Sequence, residues 1–68
     1  MGGGLRGTVT AFDEHVGLGT VTADDGADYL FHCVEIADGS RTIAVGTAVT
    51  FERLAKLGRY EASRVAPR

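Results

Sequence analysis

Between Gly7 and Cys33 the chain reads GTVTAFDEHVGLGTVTADDGADYLFHC, and no other stretch narrows its possible folds so far. Polar and small apolar residues alternate from Leu5 to Phe12, with Thr8, Val9 and Thr10 β-branched, and a similar run extends from Leu18 to Ala23. A period of two with β-branched enrichment is the mark of a half-buried strand. Asp13-Glu14-His15 and then Gly17 break the first run, and Asp25-Gly26 is a strong tight-turn signal after the second. Tyr29 to Cys33, free of glycine and proline, supplies a third strand. Three short strands joined this closely lie side by side and point alternate side chains at solvent.

The remainder continues the pattern after one irregular segment. Val34 to Val45 is the least strand-like part: Val34 to Ala37 suits one short helical turn, and Asp38-Gly39-Ser40 is loop chemistry. Thr47 to Leu54 reads as a fourth strand, with Val49 and Phe51 on one face and Thr50 and Glu52 on the other. Leu57-Gly58 breaks it, and Arg59 to Val65 is a fifth, with Pro67 placed where no ladder donor is needed. Five short strands without a long helix predict a small all-β barrel. Residues 1–4, three of them glycine, predict a flexible tail, and 5–66 the barrel itself.

A chain of 68 residues makes one domain. At that length only about 60% of the unfolded surface is buried, so the stability margin is thin. The single cysteine excludes an internal disulfide and a zinc site built of several cysteines. Neither an apolar run long enough to span a bilayer nor a signal sequence is present, which predicts a soluble cytoplasmic protein with no membrane partner. Net charge is −2, but it is unevenly spread. Residues 1–40 carry seven acids against Arg6, a balance of −6, and residues 41–68 carry six cations against Glu52 and Glu61, a balance of +4. Two readings stand side by side: a basic region facing a partner, or two halves attracting one another across the barrel.

Gly7-Thr8-Val9, Phe12, Gly17-Leu18-Gly19, Asp25-Gly26, Asp28, Phe31-His32, Ile36, Gly46, Val49 and Phe51 stand in the order and spacing of bacterial cold-shock proteins. The chain resembles that family from about Arg6 to Val65, with no large insertion. The resemblance implies a five-stranded antiparallel OB-type barrel that binds single-stranded RNA or DNA by stacking bases on an aromatic platform over the first three strands. Every base has a π-face, so such stacking tolerates sequence and is worth about 1–3 kcal/mol per base.

Most of that platform is replaced here. Where the family has lysine-glycine-phenylalanine-glycine-phenylalanine, this chain has Val16-Gly17-Leu18-Gly19-Thr20. Where it has valine-phenylalanine-valine-histidine-phenylalanine, this chain has Tyr29-Leu30-Phe31-His32-Cys33. Alternation turns Leu30 and His32 outward and Phe31 into the core. The family's lysine-tryptophan-phenylalanine run is Thr10-Ala11-Phe12, so of the stacking set only Phe12 and His32 remain. Carried over residue by residue, the resemblance nominates Phe12, Leu18, Leu30 and His32 as platform contacts; the basic cluster around the last hairpin adds Arg53, Lys56 and Arg59 at the edge as salt-sensitive phosphate contacts. For Phe12 the alternative is a half-buried ring closing one end of the barrel. Binding is expected to be weaker than is typical of the family.

A rival reading turns Ala11, Phe12, Leu18 and Leu30 into an apolar patch for a protein partner or for self-association. Catalysis is not expected, because His32 and Cys33 are neighbours on a strand, point to opposite faces and lack a third orienting group. His15, His32, Cys33 and the nearby acids lack metal-ligand spacing, and Gly17-Leu18-Gly19 is too short for a phosphate-binding loop. No cofactor is expected.

Overall fold

A computed structural model describes residues 4–68. Five strands, β1 (Leu5–Asp13), β2 (Leu18–Ala23), β3 (Asp28–His32), β4 (Ala48–Lys56) and β5 (Arg59–Pro67), close into a barrel in the order β1-β2-β3-β5-β4. A single 3₁₀ turn, Cys33–Glu35, leaves β3, one residue earlier than the helical turn expected from Val34. Cys33 thus opens that turn instead of ending the third strand. Of the tail expected over 1–4, all but Gly4 lies outside the described residues.

The barrel is mixed, which corrects the expectation of antiparallel pairing throughout. β1 pairs with β2 and β4, β2 with β3, and β4 with β5, all antiparallel, but β3 meets β5 in parallel at Leu30 and Glu61. An isolated parallel bridge between Ile36 and Val65 prolongs this seam. The long excursion from Cys33 to Thr47 carries the chain over the barrel end, so β4 and β5 return as a hairpin that closes the cylinder on both sides.

Burial follows the alternation. Val9, Val21, Phe31, Val49, Phe51 and Val65 are essentially sealed from solvent, with Ile36 and Ala62 beside them, and no polar side chain is buried among the described residues. Each large aliphatic or aromatic side chain buried in this way contributes about 1.5–3 kcal/mol. Tyr29, half-buried, packs its ring on Phe51 with centroids 5.3 Å apart.

Two irregularities set which side chains face out. Between Val9 and Ala11 the register with β2 slips, so that Val9 opposes Val21 but Ala11 already opposes Thr20. Thr10 is the extra residue of a β-bulge, and it changes the phase of the strand. In β5, Arg64 and Val65 together face Phe51, and Arg64 takes a left-handed φ of 49°. That bulge returns Val65 to the core although Ala62 already points there.

Candidate nucleic-acid interface

The registers assemble an outward face row by row. Ala11, Thr20, Leu30, Glu61 and Leu54 follow one another across β1, β2, β3, β5 and β4, and Asp13, Leu18 and His32 form a second row. Directly paired residues share one side of a sheet, so these side chains define one continuous outer surface. A third row is polar: Thr10 and Thr22 hydroxyls lie 3.0 Å apart, and the Thr22 hydroxyl donates to the Asp28 carboxylate at 2.6 Å.

Leu18, Leu30 and His32 are exposed there, the two leucines at 39% and 42%. Together with Ala11, Phe12 and Thr20 the leucines line a shallow hollow of about 300 Å³, with Asp13 also in its wall. One oxygen of Asp13 is occupied by the backbone N–H of His15 at 2.9 Å and more loosely by that of Val16, which shapes the turn into β2. His32 is the only ring side chain in the first two rows.

Phe12 belongs to the other side of the strand. Its register partner is Gly19, whose own neighbour on β3 is the buried Phe31, and the Phe12 and Phe31 rings lie nearly parallel with centroids 6.0 Å apart. Phe12 is half-buried and is also among the residues lining the hollow. Gly19 makes this arrangement possible. A Cβ at that position would stand 2.5 Å from Phe31 Cζ and 2.9 Å from the Ala11 carbonyl oxygen.

The three edge cations separate. Lys56 opposes Arg59 on the outer side of the β4–β5 hairpin, and Arg59 ion-pairs with Glu61 at 3.3 Å beside Leu30. Arg53 follows Val49 and Phe51 on the inner side, where its guanidinium lies 4.6 Å from the Tyr60 ring centroid. Leu54, exposed in the first row, has no counterpart in the sequence reading. Its place depends on the parallel β3–β5 seam, which local patterning cannot show.

Both ion pairs among the described residues, Arg59 with Glu61 and Arg64 with Glu52, lie within the C-terminal half. The two oppositely charged halves are therefore not tied together by ion pairs among the described residues. The Ser40 backbone N–H, donating at 2.9 Å, holds the Asp38 carboxyl below its usual value. Among the described residues no group of three or more His, Cys, Asp or Glu side chains is arranged to hold a metal ion. Likewise, no helix there is long and apolar enough to cross a membrane.

A closed five-stranded barrel with one open sheet face and a short helical turn after β3 defines an OB-type binding domain. The family model of the 'Cold-shock' DNA-binding domain matches residues 5–67, and the chain belongs to that family. The family is one of nucleic-acid-binding domains. Against curated proteins the chain has no significant match.

Proposed function

We infer that this domain binds single-stranded RNA or DNA across the outer face of β1–β3, more weakly than is typical of its family and with a larger electrostatic share. The observation that carries this reading is the make-up of the first two rows: Ala11, Leu18, Thr20 and Leu30 offer no π-surface, and His32 offers one ring. Loss of even two stacking partners, at about 1–3 kcal/mol each, lowers affinity by about one to four orders of magnitude. The apolar hollow still accepts the face of a base, while Arg59, ion-paired with Glu61 beside Leu30, and Lys56 opposite it on the hairpin supply cations for the phosphates. The role is one of binding without a reaction, in the cytoplasm.

Titration of a labelled oligopyrimidine at low salt tests this directly. Saturable binding is expected, with chemical-shift changes at Leu18, Leu30 and His32; no saturation at high-micromolar protein defeats the reading. The adjoining leucines also favour a second one, in which a protein surface or a second copy covers the hollow. Sedimentation decides that: a strict monomer whose Leu18 and Leu30 shifts are independent of concentration counts against self-association.

A further inference from the structure

The β4–β5 hairpin carries an exposed aromatic–cation pair on the side turned away from the platform. Tyr60 opposes Ala55 and lies diagonal to Arg53, so all three share the inner side of the hairpin, beyond the point where the core covers it. Tyr60 is 53% exposed, and Arg53 stands over its ring at 4.6 Å. Next to the ring, Lys56, Leu57 and Arg59 help line a hollow of about 330 Å³. The charge around it is one-sided. The hairpin's two acids, Glu52 and Glu61, lie on the outer side and are each engaged by an arginine. Arg53 on the inner side and Lys56, which sits on the outer side by register but lines the hollow with Tyr60, have no carboxylate within ion-pair distance among the described residues.

We propose that this hairpin is a second nucleotide-binding site, in which a base of a single strand stacks on Tyr60 while its neighbouring phosphates meet Arg53 and Lys56. The proposal rests on the single-strand reading above and extends it to a residue outside the platform. Arg53 covers one face of the ring and leaves the other for a base, and a guanidinium held on a tyrosine is already oriented toward an incoming anion. Arg59, beside Glu61 and hence beside Leu30, connects the two sites around the hairpin edge. The uncompensated cations favour a polyanion over a protein surface as occupant.

The test compares oligothymidylates of about 4 and about 12 nucleotides, within the range of site sizes for such folds. Tyr29→Phe makes Tyr60 the sole tyrosine, so its emission reports the hairpin alone. The longer oligomer is expected to quench that emission. Tyr60→Ala is expected to weaken the longer oligomer about tenfold, with the shorter one unaffected and Tyr60→Phe close to wild type. Equal weakening of both lengths, or binding of the longer oligomer without a change in emission, overturns the proposal. A Tyr60→Ala change that abolishes self-association but not oligomer affinity assigns the hairpin to protein contacts and also overturns it. If wild type binds neither length, the single-strand reading itself fails and this site falls with it; platform shifts without emission change remove only the hairpin.

Discussion

Leu30 sits between Thr20 and Glu61 in the middle of the outer face, and Leu18 lies beside His32 one row away. Both side chains bury apolar area against a flat ligand, but neither has the quadrupole and planar surface that make a base stack. They stand where the family has phenylalanine, and both are exposed, so a ring at either place meets no packed neighbour that it must displace. Leu18→Phe and Leu30→Phe are therefore expected to raise affinity for an oligopyrimidine, each by about fivefold or more, and to leave thermal stability nearly unchanged. Fluorescence anisotropy and a melting curve check both halves of that statement. An unchanged Kd in the double variant would show that the face has lost its ligand and not merely its rings.

The β1 strand shows how an element overrides the pattern it was built from. Strict alternation from Gly7 and Val9 would put Ala11 inside and Phe12 outside. The bulge at Thr10 reverses this, exposing Ala11 and laying Phe12 against Phe31. The close approach is paid for by a missing side chain at Gly19, where a Cβ would overlap both the Phe31 ring and the fixed Ala11 carbonyl. Gly19→Ala is expected to cost about 1–3 kcal/mol, since neither neighbour can move away freely. In a domain of this size that is a fall in Tm of several degrees or more, on the order of 4–8 °C per kcal/mol, measurable by calorimetry. Gly26→Ala is no substitute control, because Gly26 has a φ of 92° and open space around it, so strain there comes from the backbone alone.

Across the whole molecule the balance of charge works against a polyanion, and its arrangement decides what remains. The acids Asp24 and Asp25 of the β2–β3 turn, and Asp28 at the start of β3, repel phosphate near the third row, while the hairpin cations attract it on the other side of Leu30. Binding is therefore expected to weaken steeply as salt rises. For a single strand each phosphate-bound cation contributes a slope of about −0.7 in log K against log salt. Lys56→Gln removes a cation without a salt-bridge partner among the described residues and should make the slope shallower by about that amount; Arg59→Gln also frees Glu61 and should weaken binding further at every salt concentration. Titrations at several salt concentrations give both slopes, and parallel lines for wild type and Lys56→Gln would remove Lys56 from the interface.

Local pattern alone determined the five strands, the tight turns and the inward course of Val9, Val21, Phe31, Val49 and Phe51, because period-two alternation and turn chemistry act over a few residues. It also determined that the family's rings are absent from positions 18, 20 and 30, since residue identity needs no structure. Tertiary structure decided the rest. The parallel β3–β5 contact brings Glu61 and Leu54 beside Leu30, the Thr10 bulge turns Phe12 inward, and the hairpin parts Arg53 from Lys56 and Arg59. Strand pairing between distant segments and a one-residue slip in register are set by how the whole barrel closes, and neither leaves a mark in local alternation.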